Sequence, residues 1–338
     1  MDQSDAKIER DRPALYQLAK EALQLWFVPE DATLELINIS ENATFLVSAP
    51  GSTKTILRVH RPGYHSLETI ASELTWMEAL STADVIKTPA ILCGTNGARI
   101  QRHQISGQPP HDMVMFAFVE GQEPDQSQSL ESLFHHLGGL AARLHQHVMS
   151  WPLPAGFTRP DWDIDGIYGR IKRWGDWRQA PYLTTSMHTI LEEAEAQVSR
   201  ALLAYGKTSD RYGLIHADMR LANLLVKGND MRRVHVIDFD DCGFGWFMYD
   251  FAAGISFIED DPQVPHLKSA WLAGYQEIRP LSAEDLMMVD TMIMLRRMLL
   301  LAWVGSHKDA DIVAELEPDF GRVTAMLAER YLKAQNGS

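Results

Sequence analysis

"LIHADMRLANLLVKGNDMRRVHVIDFDD", residues 214–241, decides how this chain of 338 residues is read. His216, Asp218 and Asn223 fall within eight residues, with apolar residues on both sides. "LANLLV" and "VHVID" are short, apolar and strand-like, and the "KGNDMRR" between them has turn chemistry. The pattern predicts a hairpin with Asn223 at the start of its first strand and Asp238 at the end of its second. Those two ends are neighbours in an antiparallel pair. An amide oxygen and a carboxylate therefore converge at one end, with Asp218 on the loop leading in.

Hard oxygen donors that leave positions open for water and phosphate suit Mg²⁺. A separate carboxylate a few ångströms away can orient an attacking hydroxyl and accept its proton. Phosphoryl transfer divides the labour in this way, with one acid for the acceptor and an Asn and an Asp for the metal. Taken singly, Asp218, Asn223 and Asp238 are each commoner as turn residues. The spaced set carries the chemical reading.

The rest of the chain gives this hairpin a setting. The hydrophobic fraction is 46% and the charged fraction 22%, the range of a globular protein. A formal net charge of −14, with no Lys/Arg block, argues against a nucleic-acid or membrane partner. Cys93 and Cys242 form no C-x-x-C pair and suggest buried thiols in a reducing compartment. The N-terminal stretch is charged, and the apolar runs are interrupted by Asp250 and by Arg296–Arg297. The expectation is a cytoplasmic protein.

Residues 11–28 read as an amphipathic helix with Pro13 in its first turn. "TLELINIS", "ATFLVSA" and "KTILRVH" then read as three antiparallel strands joined by turns at "ENA" and "APGST". "SLETIASELTWMEALST" returns to helical spacing, with Ile70, Leu74, Met77 and Leu80 on one face. "PAILCGT" and "ARIQRHQI" read as a strand pair around Asn96–Gly97. "MVMFAFVEGQEP" is a strand running into a linker, after which most segments are helical. The fold class is α+β. The organisation expected is a nucleotide-binding lobe over 1–117, a hinge over 118–122, and a catalytic and substrate lobe over 123–338.

H-x-D-x-x-x-x-N followed by I-D-F-D resembles the aminoglycoside phosphotransferase and choline kinase-like family, with the homoserine kinase type II-like branch as one candidate. "YDFA", "ENATFLV…ILRVHRPG" and "SELTWMEAL" fit the same pattern, and the resemblance runs from about residue 33 to 330. It implies a protein-kinase-like two-lobed fold, with a small antiparallel β-sheet N-lobe and a larger, mainly helical C-lobe. It implies ATP and Mg²⁺. It implies Asp218 as catalytic base, Asn223 and Asp238 as metal ligands, and His216 as a brace of the catalytic loop. Asp250 is implied to hold that loop's backbone, and Glu73 to pair with a phosphate-binding base. Protein kinases carry lysine at that base. Here it is Arg58, which is always charged and forks onto phosphate or carboxylate. Glu68 is the alternative partner. No G-x-G-x-x-G is present; "SENATF" stands in its place, with the amides of Asn42, Ala43 and Thr44 as phosphate caps. Phe116 and Phe118, in the segment 116–119, would offer backbone groups to adenine.

The activity implied is ATP-dependent transfer of a γ-phosphate to the hydroxyl of a small molecule, an amino alcohol, aminoglycoside or similar. A serine/threonine protein kinase of the same fold and a catalytically silent nucleotide-binding scaffold are the alternatives. A haloacid dehalogenase-like phosphatase, suggested by D-x-D at Asp238–Asp240, fits poorly because that motif usually opens its fold. The partner expected is a small hydroxyl acceptor, with a cationic one favoured if "DWDIDGIYGRIKRWGDW" at 161–177 forms an acidic, aromatic pocket. A solvated loop is the alternative there. Asp240 and Asp241 read either as solvated turn residues or as help for a metal or a cation. The histidines at 135, 136, 145 and 147 lack the spacing of a helical metal pair. The oligomeric state is not legible.

Overall fold

A computed structural model describes residues 5–39, 42–228, 234–307 and 311–337. The chain forms two compact units. The first comprises the described residues of Met1–Thr82, Thr88–Glu120 and Ala155–Thr158. The second comprises those of Ala83–Lys87, Gly121–Pro154 and Arg159–Ser338.

In the first unit, α1 (Asp5–Ala22) precedes the strands β1 (Thr33–Ile39), β2 (Asn42–Ser48) and β3 (Thr55–His60), then α2 (Leu67–Thr82). The strands β4 (Ile91–Leu92), β5 (Ile100–His103) and β6 (His111–Ala117) follow. The sheet is antiparallel with order β1-β2-β3-β6, and β4 and β5 both pair with β6. The hairpins β1–β2 and β2–β3 form as expected, with a bulge between Leu36 and Asn38. The expected β4–β5 pair does not form. Those residues make a turn instead, where Gly94 N donates to Ala98 O at 2.9 Å and Gly97 has φ 77°. Helix α1 begins earlier than expected, which leaves Pro13 inside it.

Side chains two apart on a strand share a face. Phe45 and Val47, Leu57 and Val59, and Met113 and Met115 line one face and bury against Leu18, Ala19, Ala22 and Trp26. Alternation sends Arg58, between Leu57 and Val59, to the opposite face. There Glu73 stands on the buried stripe of α2 with Ile70, Leu74, Met77 and Leu80.

In the second unit the helices are α3 (Glu131–Ser150), α4 (Ile164–Ile167), α5 (Thr185–Tyr205), α6 (Tyr249–Gly254), α7 (Val264–Gln276), α8 (Ala283–Ser306) and α9 (Asp311–Asn336). The strands are β7 (Tyr212–Ile215), β8 (Leu224–Val226), β9 (Val234–Val236) and β10 (Gly243–Trp246). The predicted hairpin is β8–β9, with Leu224 opposite Val236 and Val226 opposite Val234. Its tip, residues 229–233, lies outside the described residues. Residues Leu221–Asn223 make a 3-10 turn rather than the start of the strand. Sequence reading missed the pairing of β7 with β10. Helices α3 and α7 meet backbone to backbone. A Cβ at Gly138 would lie 1.9 Å from Trp271 O, and one at Gly274 would lie 1.8 Å from His135 O, so only glycine permits this approach. The fold is the expected protein-kinase-like one: an antiparallel sheet in one unit, helices dominating the other.

Candidate active site

The loop between β7 and β8 holds a strained residue. Ala217 has φ 65°, in the left-handed region that costs an L-residue roughly 1–2 kcal/mol. Two buried groups hold it there. Asp250, at the start of α6, accepts Ala217 N on Oδ1 at 2.8 Å and His216 N on Oδ2 at 3.3 Å. Arg296 Nη1, from α8, donates to Ala217 O at 3.3 Å. Asp250 therefore holds the loop backbone, as the resemblance implies. His145 Nε2 lies 3.0 Å from Asp250 Oδ2, and its Nδ1 lies 3.0 Å from Tyr275 Oη on α7. Burial pushes the His145 pKa down, outweighing the pull of Asp250. His216 is also buried and lowered by burial, and its Nδ1 accepts Asp218 N at 3.3 Å.

This scaffold delivers Asp218. Asn223 Nδ2 donates to Asp218 Oδ2 at 2.7 Å and to Asp218 O at 2.8 Å. Arg220 Nε donates to Oδ2 at 3.3 Å, and Arg296 Nη2 donates to Oδ1 at 2.5 Å. Burial raises the Asp218 carboxyl, but Arg220, Arg296 and His216 outweigh it and hold the group below its ordinary value. With Nδ2 committed to Asp218, the Asn223 amide leaves Oδ1 as its acceptor, and among the described residues nothing donates to that oxygen. Ile237 N donates to Asn223 O at 2.9 Å, so Asp238 follows directly on Asn223's neighbour across the hairpin. Asp238 is exposed, with φ 59°, and its Oδ1 accepts Asp240 N at 3.3 Å. Asp218, Asn223 and Asp238 thus come together at one end of β8–β9. An amide oxygen and an exposed carboxylate are the hard donors Mg²⁺ takes, and it commonly uses only one or two protein carboxylates beside phosphates. No larger cluster of His, Cys, Asp and Glu occurs among the described residues.

In the first unit, Arg58 Nη2 donates to Glu73 Oε1 at 2.7 Å and Oε2 at 2.8 Å, with both side chains buried. Glu73 is the partner, and Glu68 is exposed. The guanidinium also lies 5.2 Å from the Phe116 ring. Asn42, Ala43 and Thr44 open β2, with Asn42 opposite His60 and Ala43 opposite both Ile39 and Val59; residues 40 and 41, just before them, lie outside the described residues. Phe116 sits within β6, opposite Ile56 and Ile91. Phe118 N donates to Lys54 O at 3.3 Å.

Of the two readings of 161–177, an acidic pocket or a solvated loop, the hydrogen bonds of its carboxylates give each acid a structural partner. Asp163 caps α4 by accepting Gly166 N at 2.8 Å and pairs with Lys207 at 2.5 Å. Asp161 accepts the Tyr212 hydroxyl at 3.0 Å, and Asp165 accepts Arg170 N at 3.2 Å. Asp240 is buried rather than solvated, and Asp241 is half-buried. Arg159, itself buried, donates to the carbonyls of Asp240 and Cys242 and so fixes the segment after Asp238.

Sequence reading missed Arg159 and Arg296. Arg159 carries no local signal. Arg296 carried one, because two adjacent arginines in an apolar helix must be paired. Arg297 pairs with the buried Glu259 at 2.6 Å.

Comparison with known proteins gives this geometry a lineage. Residues 33–281 match the phosphotransferase enzyme family, APH. The amicoumacin kinase of Bacillus subtilis (strain 168) is 24% identical over 294 residues, covering 84% of this chain and 81% of its own. The structure of a microcompartment-associated aminopropanol kinase superposes with a TM-score of 0.87 at 42% identity, covering 94% of this chain and 98% of that one. The amicoumacin kinase hAmiN, solved in complex with AMP-PNP, Ca²⁺ and Ami, shares the fold at a TM-score of 0.75 and 20% identity, covering 96% of this chain and 95% of that one. No helix among the described residues is long and apolar enough to cross a membrane. The chain belongs to the APH phosphotransferase family and is an enzyme of the kinase type.

Proposed function

We propose that this kinase transfers the γ-phosphoryl group of ATP to the hydroxyl of a small amino alcohol, with aminopropanol as the acceptor to test first. The observation that carries the reading is the Asp218 carboxylate, pinned by Asn223 and Arg296 on a loop whose backbone is held by Asp250. The acceptor class rests on the 42% identity to the aminopropanol kinase over nearly the whole of both chains.

Asp218 accepts a hydrogen bond from the acceptor hydroxyl and orients its oxygen toward the γ-phosphorus. The new O–P bond forms as the bond between the γ-phosphorus and the β–γ bridging oxygen breaks. The hydroxyl proton passes to Asp218, and ADP carries away the bond's electrons. A carboxylate held below its ordinary pKa is a weak base, which suits proton transfer late in a loose transition state. Asn223 Oδ1 and Asp238 would hold Mg²⁺, which when bound supplies positive charge to the phosphate oxygens. Arg58, fixed by Glu73, would bind a phosphate oxygen through a guanidinium that keeps its charge at any working pH. Arg220 contacts Asp218 through Nε only, so its terminal nitrogens are suited to meet the transferred group.

The test is an ATP-consumption screen with purified protein and Mg²⁺ against aminopropanol, other amino alcohols, sugars, aminoglycosides and a serine peptide. Turnover on an amino alcohol supports the reading. Turnover on the peptide alone, or a nucleotide-dependent thermal shift with no turnover on any acceptor, overturns it.

A further inference from the structure

Arg296 sits in the middle of α8, in the apolar run "MIMLRRMLLLAW", and is 1% exposed. Placing a guanidinium there sacrifices its hydration, and an apolar side chain would fill the same space without that cost. Its surroundings are ordered to receive it. Nε donates to Ser256 Oγ at 2.9 Å, and Nη1 donates to Ala217 O and to Tyr249 Oη, each at 3.3 Å. The plane packs 5.1 Å from the Trp174 ring. Three fixed groups other than Asp218 thus set the direction of the fork before Nη2 reaches Asp218 Oδ1 at 2.5 Å. Ser256 and Tyr249 flank the catalytic loop and are buried, so the fork has little freedom.

An ionised carboxylate has about four lone-pair positions. On Asp218 both positions of Oδ2 are taken, by Asn223 Nδ2 and Arg220 Nε. Arg296 takes one position on Oδ1. Among the described residues one position remains, and it belongs to Oδ1.

Building on the reading of Asp218 as base, we propose that Arg296 is a positioning residue: it fixes the carboxylate plane so that the acceptor hydroxyl enters on Oδ1, the oxygen it shares with the guanidinium. The action is on geometry. A fork held by three acceptors cannot be replaced by a lysine, whose compact ammonium has no plane and cannot reach all four partners. Misplacing the reacting carboxylate by an ångström lowers the rate of the chemical step and leaves the binding of either substrate in place.

The experiment uses the full chain carrying Arg296→Lys, Arg296→Met, Ser256→Ala or Asp218→Asn, with ATP, Mg²⁺ and aminopropanol. Initial rates give kcat and both KM values, and thermal melts report the fold. Arg296→Lys is expected to lower kcat about 10²-fold with both KM values within about twofold, and Arg296→Met to lower it further. Ser256→Ala removes one of the three fixing bonds without touching Asp218, and is expected to lower kcat severalfold with KM unchanged and the fold intact. It keeps the proposal testable should Arg296→Met fail to fold. Three results overturn the proposal: kcat within twofold of wild type for Arg296→Lys, equal loss in the Lys and Met variants in proportion to unfolded protein, or a loss expressed in KM. Asp218→Asn separates the two claims. If it is inactive while Arg296→Lys is normal, only the role of Arg296 fails. If Asp218→Asn stays active, the base assignment fails and this inference fails with it.

Discussion

Replacing Asp250 by Asn removes one charge and leaves the shape of the side chain unchanged. The carboxylate accepts three hydrogen bonds, from Ala217 N at 2.8 Å, His216 N at 3.3 Å and His145 Nε2 at 3.0 Å. An asparagine keeps one oxygen. If it stays on Ala217 N, the new amide nitrogen faces the His216 N–H and the His145 ring. His145 can answer by changing tautomer, because Tyr275 Oη, which already accepts from Arg279 Nη1 at 2.9 Å, has a second lone pair. His216 N has no such remedy, and a buried donor left without an acceptor costs roughly 1–3 kcal/mol. Loss of charge from the remaining bond to Ala217 adds about 1 kcal/mol. Asp250→Asn is therefore expected to destabilise the protein by roughly 2–4 kcal/mol in urea unfolding, with the slope unchanged. Ala217 at φ 65° then loses its strongest restraint, and kcat is expected to fall about 10²-fold as Asp218 shifts. A stability loss under about 1 kcal/mol with an unchanged kcat would refute the view that Asp250 holds the loop.

The helix crossing that brings Tyr275 to His145 offers a steric test by thermal melting. Gly274→Ala, whose Cβ would meet His135 O at 1.8 Å, is expected to cost at least about 3 kcal/mol. Gly139→Ala, with 3.5 Å of clearance to Gly274 O, is expected to be neutral or to stabilise by up to about 1 kcal/mol. Glu73→Gln leaves the Arg58 charge buried beside a neutral partner; calorimetry is expected to show weaker ATP binding, and unfolding a loss of roughly 3–5 kcal/mol. Stability should also depend on pH through His145, which faces Asp250, Tyr275, Arg279 and the Phe247 ring. Burial holds its folded pKa below the unfolded value of about 6.5, so below that pH the unfolded chain takes the proton first. The contribution is present above about pH 6.5 and is lost as pH falls toward the lower folded value. Melting temperature is expected to drop between pH 7 and pH 5.5, less steeply in His145→Gln.

The sequence read well where chemistry and spacing coincide in one short stretch. Asp218, Asn223 and Asp238 could be placed together because a hairpin must bring its two open ends side by side, and the register of Leu224 with Val236 does so. Arg58 and Glu73 could be matched because the family resemblance implies that pair, and the two side chains do meet. Other parts depended on context that a local pattern lacks. Asn42–Thr44 stand where the resemblance implies a nucleotide loop, and no local pattern there shows how far β2 extends; it runs from Asn42, paired with β3 and, from Ala43 on, with β1 as well. The acids of 161–177 read equally as a ligand pocket or as a solvated loop, and no local pattern shows that a helix N-terminus and Lys207 engage Asp163. Arg296 acts on a residue 78 positions away, a distance that no motif spans.

The central claim is that Asp218 is the base for the incoming hydroxyl, and Asp218→Asn tests it most directly because asparagine keeps the shape and cannot take the proton. With ATP, Mg²⁺ and aminopropanol, kcat is expected to fall by about 10²–10⁴-fold, with the Kd for ATP within about twofold of wild type. A turnover rate within tenfold of wild type would contradict the account.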